Sequence, residues 1–338
     1  MKVSFLLTYF NQEQYVDDSI NSILSIEKQF EWELLIGDDG SSDGTVKMIE
    51  KYVERYPKHI KLFIIPKNNY EEYDPIKRAS ANRLFLLEQC SGDCFCILDG
   101  DDYYCDTRFV CDSIELFNKY SSISVVSFGY NYVRDNVKSN DITLPTTYNN
   151  SIVNKRDYIK NYYIPAGSCV HRLSWDRDRI NYIKTLGYFD DNNIMFNSLN
   201  FGEMYFINRV IYSYRQRNNS TYNSMNQLQQ AMINIQGMDV DAKLINKGYY
   251  RDLLIRNCKS YILMYIMKNN ITKENKFNRL YMNNCKSIGD STAYIIMNYS
   301  NENRKLKKHI SLIFLYAFIH CPIYTIRVLL QKKRGHIR

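Results

Sequence analysis

Carboxylates crowd into one short stretch of the chain: Asp99, Asp101 and Asp102 of an Asp-Gly-Asp-Asp run, with Asp106 close behind. Such acids repel one another unless something positive sits among them, and a divalent cation with oxygen ligands meets that need. Mg²⁺ or Mn²⁺ held by one or two carboxylates keeps coordination sites for phosphate oxygens. Taken alone, the cluster is equally a solvated acidic turn, or a helix start capped by Asp106. A second acidic group, Asp38-Asp39, opens the run Asp-Asp-Gly-Ser-Ser-Asp-Gly-Thr that ends at Thr45. Asp39 can accept hydrogen bonds from a base or a ribose, and Gly40 with the serines lets the backbone approach a ligand. A tight turn into a helix capped by Ser42 or Asp43 uses the same residues.

Chemistry of this kind needs elements that bring distant acids together. Val3–Leu7, Trp32–Ile36, Ile60–Ile65 and Cys94–Leu98 are apolar runs of strand length. Between them lie stretches with apolar residues at helical spacing, over 12–26, Thr45–Tyr56 and Ile76–Cys90. Alternating strands and helices predict an α/β fold with a mostly parallel sheet. Ligands of such sheets bind at the carboxyl ends of the strands, where both acidic groups fall. From Asp106 to about Asn219 the pattern is mixed. Strands are expected over Ser122–Tyr132 and Met204–Tyr214, and helices over Lys155–Asn161 and Leu173–Thr185. Beyond about Gln227 the chain reads as helices, with a soft boundary near Thr221.

Composition narrows the function classes. The chain has 338 residues, 44 Lys+Arg and 36 Asp+Glu, a formal net charge of +8. Nine basic residues and no acid lie between Arg304 and Arg338, so the preceding residues are close to neutral. A basic nucleic-acid-binding body is excluded, and any basic function lies in the tail. The nine cysteines are odd in number and irregularly spaced, which argues against a disulfide framework. Cys94 and Cys96 fall in an apolar run and read as core. His171 could be a metal ligand or acceptor contact, but it reads first as a structural or surface histidine. No G-x-G-x-x-G or P-loop signature occurs, so dinucleotide dehydrogenase and P-loop kinase readings fail. Val3–Phe10 is too short for a secretory apolar region, and a cytoplasmic location is expected.

Several motifs in order carry a resemblance. Val3-Ser-Phe-Leu-Leu-Thr-Tyr-Phe-Asn11, then residues 32–45, Ser80-Ala-Asn-Arg83, residues 92–102 and residues 186–215 together resemble family-2 inverting glycosyltransferases. The resemblance covers about residues 1–220. It implies the GT-A fold, a Rossmann-like mixed sheet flanked by helices. On that basis residues 1–102 form a nucleotide-binding half and 103–220 an acceptor half, followed by a helical region over 221–338. It implies nucleotide-sugar contacts for Thr8, Tyr9, Phe10, Asn11, Asp39, Arg78, Asn82, Asp99, Gly100 and Asp101. Asp101 and Asp102 are the implied metal ligands for Mn²⁺ or Mg²⁺. Asp191 is the implied base, with Asp190 orienting it or capping the next helix. The sequence departs from the family at Asn69-Tyr70, where a glycine is common. It has His171-Arg-Leu-Ser-Trp175 in place of the Gln-x-x-Arg-Trp of polymerising members, which implies transfer of a single sugar.

The implied reaction moves a sugar from a nucleoside diphosphate, UDP by family habit, to a hydroxyl of a glycan or lipid-linked acceptor in surface polysaccharide synthesis. A sugar-nucleotidyltransferase would also bring acids to Mg²⁺, but it would open with a Gly-rich basic loop, unlike Thr8–Gln12. An inactive relative serving as a membrane partner subunit is the non-enzymatic alternative. Ile310–Leu330 is apolar but broken by His320, Pro322 and Arg327, too interrupted to span a bilayer. Flanked by Arg304–Lys308 and Lys332–Arg338, it suits the surface of an anionic membrane on the inner face of the cell, and a core helix with basic ends would look the same.

Overall fold

The computed structural model describes residues 1–65, 75–135, 137–217 and 240–249, with eight isolated positions from 230 to 330. Backbone alone is described for 75–77. The elements in chain order are β1 (Lys2–Tyr9), α1 (Val16–Leu24), β2 (Glu31–Asp38), α2 (Thr45–Arg55), β3 (Ile60–Ile64), α3 (Pro75–Gln89) and β4 (Cys94–Asp99). There follow β5 (Tyr103–Tyr104), α4 (Phe109–Lys119), β6 (Ile123–Arg134), β7 (Val137–Lys138), β8 (Ser151–Val153) and α5 (Lys155–Asn161). Then come β9 (Cys169–Arg172), α6 (Arg177–Leu186), α7 (Asp191–Ser198) and β10 (Glu203–Arg215). The chain divides into two compact units, one of residues 1–158 and 162–217, the other of 159–161 and 218–338.

One sheet runs β3-β2-β1-β4-β9-β6-β10-β5. Its first four strands are parallel, β4 and β6 both pair antiparallel with β9, and β6 pairs parallel with β10. β1 is apolar along its length and buried from Val3 to Tyr9, as a central parallel strand covered on both faces requires. Val3, Phe5, Leu7 and Tyr9 join Val16, Ile20 and Ile23 of α1 in the core. Each such side chain contributes about 1.5–3 kcal/mol on burial.

The topology decides where a ligand can sit. The chain leaves β1 for β2 on one side and later returns to β4 on the other. The crevice at this switch, beyond the carboxyl ends of β1, β2 and β4, is the binding place of open α/β sheets. Register sets Thr8 between Gly37 and Asp99, and Tyr9 beside Asp38.

Local expectations shift by a few residues for identifiable reasons. The helix expected from residue 12 begins at Val16, because Glu13–Tyr15 forms a 3₁₀ turn. The helix expected from Leu173 begins at Arg177, where the Asp176 carboxylate caps the Arg179 N–H. Helix α2 is entered through Gly44, not Ser42 or Asp43. Asp43 still serves that turn by accepting from the Thr45 N–H at 3.1 Å. Most of the helical region expected beyond 220, and nearly all of the basic tail, lie outside the described residues. Among the described residues no helix is long and apolar enough to cross a membrane.

Candidate active site

The loops leaving β1 and β2 are stitched into one surface. Asn11 takes a left-handed φ of 50°. Its N–H donates to Ser41 Oγ at 2.8 Å and its Oδ1 accepts from the Ser42 N–H at 2.8 Å. Asp38 is fully buried and accepts from the Ser41 N–H and hydroxyl, at 2.8 and 2.5 Å. That use holds the turn, so Asp39 is the acid of the pair that faces outward. Arg78 of α3 reaches Asp39 Oδ1 at 2.8 Å and its carbonyl at 2.6 Å, with its guanidinium 5.3 Å from the Phe10 ring. A carboxylate, a planar cation and an aromatic ring thus meet at the carboxyl end of β2, a set suited to a base and ribose.

Two residues expected to touch the nucleotide turn inward. Tyr9 is 2% exposed, and its hydroxyl shares a hydrogen bond with Ser19. Its ring lies under Gly100, where an added Cβ would come within 2.2 Å. Asn82 is equally buried and donates to the Gly37 carbonyl at 2.9 Å. A Cβ on Gly37 would fall 1.9 Å from Asn82 Oδ1, so these residues shape the crevice floor without forming its surface.

Each acid of the Asp99–Asp102 turn has a different partner. Both Asp99 oxygens lie 2.8 Å from Arg83 Nη2, and Thr8 Oγ1 donates to Asp99 Oδ1 at 3.1 Å. Asp101 Oδ2 lies 2.7 Å from Arg217 Nε, and its main-chain carbonyl accepts from Arg215 at 2.7 Å. Burial pushes the Asp101 carboxyl up, against the pull of Arg217. Asp102, expected as a second metal ligand, is turned away from the crevice. It is 1% exposed, and its oxygens accept from the Tyr212 hydroxyl and from the Arg215 N–H at 2.7 Å. Burial, then Asp101 and Asp99, hold its carboxyl well above the usual range. Among the described residues no group of three or more His, Cys, Asp or Glu could hold a metal. Asp101 suits a single carboxylate ligand to an ion carried mainly by substrate phosphates and water, provided Arg217 gives way.

Helix α3 ties this turn to the third acidic pair. Arg83, on Asp99, also donates to the Phe189 carbonyl at 3.4 Å, and Ser80 accepts from the Phe189 N–H at 2.9 Å. Asp190 forms a capping box with Asn193, each accepting the other's N–H at 3.1 Å. It is therefore the N-cap of α7, the second of the two roles the resemblance implies for it. Burial pushes the Asp190 carboxyl up to about 6. Asp191 opens the helix, where the dipole favours its charge. Its Oδ1 accepts from the Ala166 N–H at 3.2 Å and its Oδ2 from the Tyr163 hydroxyl. Burial raises the Asp191 carboxyl above the usual carboxylate range, although Arg83 and Tyr163 favour its charged form. Arg83, Tyr163 and Arg217 were not singled out from the sequence. The one available signal was that this many acids need a cation, and Arg83 follows Ser80 by three positions on one helix face.

Other candidates resolve into structure. His171 is buried, pairs with Ser198 Oγ at 3.0 Å and stacks on Phe95 with centroids 5.1 Å apart. Burial drives its ring down to about 3, so it stays neutral. Cys94 and Cys96 are free and buried in β4. Residues 40–44 also spell the Gly-x-Ser-x-Gly of serine hydrolases. Ser42 Oγ lies 3.4 Å from Asn11 Oδ1, and the two described histidines are engaged elsewhere, His59 with the Trp32 carbonyl and His171 with Ser198.

Residues 4–180 match the model of glycosyl transferase family 2. The Bacillus subtilis protein EpsE, named as a glycosyltransferase, is 34% identical over 128 residues, 38% of this chain and 42% of EpsE. The teichoic acid poly(glycerol phosphate) polymerase of Staphylococcus epidermidis is 28% identical over 101 residues, 30% of this chain and 13% of the polymerase. The chain thus spans less than half the length of these relatives. The crystal structure of S. aureus TarS 1–349 in complex with UDP superposes with a TM-score of 0.57 at 15% identity, covering 93% of this chain and 90% of that one. The architecture is the GT-A fold expected from the motifs.

Proposed function

Because the chain belongs to glycosyl transferase family 2, we propose that it moves a sugar from a UDP-sugar to a hydroxyl of a glycan or lipid-linked acceptor, in the synthesis of a surface polysaccharide. The observation that carries this reading is the meeting at one sheet crevice of three sets of groups through one helix. Arg78 and Arg83 of α3 reach Asp39, Asp99 and the Phe189 carbonyl next to Asp190-Asp191. The donor class draws support from TarS, whose structures hold UDP and UDP-GlcNAc. The polysaccharide setting draws support from relatives named for teichoic acid and teichuronic acid synthesis.

In this reading Asp39, Arg78 and Phe10 receive the base and ribose, with Thr8 and Asn11 at the neighbouring strand exit. Asp99, Gly100 and Asp101 face the diphosphate and sugar. Asp101 is the residue that would hold Mn²⁺ or Mg²⁺, and such an ion, when bound, supplies positive charge for the departing diphosphate. Asp191 takes the proton of the attacking hydroxyl. Attack opposite the leaving group inverts the anomeric centre through an oxocarbenium-like transition state.

A thermal-shift panel of UDP-, GDP-, dTDP- and CMP-sugars with Mn²⁺ tests class and donor together. A UDP-sugar should raise the unfolding midpoint, because a ligand that binds only the folded state stabilises it. The reading fails if no nucleotide sugar does so.

The basic tail belongs to the same proposal, as an attachment to an anionic membrane surface. Each Lys or Arg near such a surface contributes about 1 kcal/mol. Removing residues after Asn303 should move the protein from the membrane to the soluble fraction, and identical fractionation of both forms would refute the attachment.

A further inference from the structure

The base of the proposed reaction has a partner at its outer side. Tyr163 precedes the short turn of Ala166–Ser168, and its O–H donates to Asp191 Oδ2. The same turn supplies the Ala166 N–H to Asp191 Oδ1 at 3.2 Å. Each carboxylate oxygen therefore receives one hydrogen bond from one short segment, which fixes the plane of the carboxylate and leaves a lone pair on each oxygen. The segment is itself anchored: the Ile164 N–H donates to the Tyr158 hydroxyl at 3.2 Å, and Ser168 Oγ donates to the Phe128 and Gly129 carbonyls at 2.9 and 3.0 Å. Tyr163 is nevertheless 40% exposed, unlike the buried Ile164, Pro165 and Ala166 that follow it. A tyrosine that served only to fill the core would not leave that much of itself in solvent while aiming its hydroxyl at a carboxylate.

We propose that Tyr163 is a positioning residue for the general base, holding the Asp191 carboxylate in the orientation and charge state that accept the proton of the attacking hydroxyl. The inference rests on Asp191 acting as the base. Hydrogen bonds to an ionised carboxylate favour its charged form. The groups that bear on Asp191 come from every side: Arg83 of α3, Asp99 of β4, its neighbour Asp190, Tyr163, Tyr130 of β6, Tyr214 of β10 and Cys169 of β9. Only Arg83 among them is cationic, so the Tyr163 hydroxyl is one of few contacts that oppose desolvation of the carboxylate.

Tyr163→Phe keeps the ring and removes the donor. Two readouts apply to the full chain. The first is a carboxyl ¹³C NMR titration of Asp191, assigned by the signal lost in Asp191→Asn. Its midpoint should rise in Tyr163→Phe by about one pH unit, the scale of one hydrogen bond to a charged group. The second is the pH profile of hydrolysis of whichever nucleotide sugar the thermal-shift panel selects, measured with Mn²⁺. Its acid limb should move up by the same amount, with kcat lowered and the donor KM unchanged. A merely structural tyrosine would lower the unfolding midpoint and leave both titrations in place. An unmoved NMR midpoint overturns the inference, as does an unmoved acid limb. If no nucleotide sugar raises the unfolding midpoint, the proposed function falls, while the NMR titration still decides whether Tyr163 holds Asp191. Tyr163→Leu, which also removes the ring, should give the same upward shift and guards against a local effect of the phenyl group.

Discussion

Asp191→Asn lowers kcat for sugar transfer by about 10²–10⁴-fold, the usual contribution of a positioned general base. The amide is close in shape to the carboxylate and keeps an oxygen for the Ala166 N–H, so the turn and the start of α7 persist. Nucleotide-sugar binding with Mn²⁺ stays near that of the unaltered protein, because Asp39, Arg78 and Asp101 lie on other elements of the fold. Steady-state kinetics beside a thermal-shift titration check both parts, and undiminished turnover in the variant removes Asp191 from the base role. The pH dependence follows with its sign. The base must be ionised, and burial raises its carboxyl above the ordinary carboxylate range. Activity of the unaltered protein therefore falls as pH drops through a value higher than that of an exposed aspartate. Asp191→Asn removes this limb from the residual activity.

Asp101→Ala removes the metal-dependent part of donor binding. Asp101 Oδ2 is held by the Arg217 side chain at 2.7 Å, an ion pair that a bound cation would displace. Asp99 is engaged with Arg83, and Asp102 is enclosed by Tyr212 and Arg215. The turn itself survives the substitution, since Arg215 binds the Asp101 main-chain carbonyl. In the unaltered protein, UDP should raise the unfolding midpoint more with Mn²⁺ than without it. In Asp101→Ala the two shifts should coincide. Arg217→Gln works in the opposite direction, because it removes the cation that competes for the same carboxylate. Mn²⁺ added without nucleotide, followed by its electron paramagnetic resonance signal, should then bind more tightly than to the unaltered protein. An Asp101→Ala protein that still binds UDP better with Mn²⁺ would assign the ion to another residue.

The partner cations also bear on stability. Arg215 links β10 to α1 through Asp18 at 2.5 Å and lies between the Tyr15 and Tyr103 rings, 4.9 and 4.6 Å from their centroids. The last turns of the sheet, the acidic loop and the first helix are thus joined by one side chain. Its ion pair with Asp18 is solvent-exposed on the carboxylate side, so its strength lies in the ring contacts and the bond to the Asp101 carbonyl.

The sequence by itself determined β1 to β4, β6 and β10, the helices α1 to α3, α5 and α6, and the strand ends at which acids gather. Those features are local: an apolar run such as Val3–Leu7 must be buried on both faces, and an amphipathic stretch such as Thr45–Tyr56 must cover it. The motif order then named the family, and in the fold Asp39 and Asp101 follow β2 and β4 while Asp191 opens α7. What only the tertiary structure decided was the direction of individual side chains within each motif. Tyr9 and Asn82 turn under the crevice, Asp102 turns into the core, and Asp190 caps the start of a helix, although each stands beside a residue that faces outward. The same folding supplied the cations and the phenol: Arg83, Arg217 and Tyr163 lie 16, 116 and 28 positions from the acids they hold. A carboxylate announces in sequence that it needs a counter-charge or a donor. Which group meets that need is fixed by strand register and helix packing, which no local spacing records.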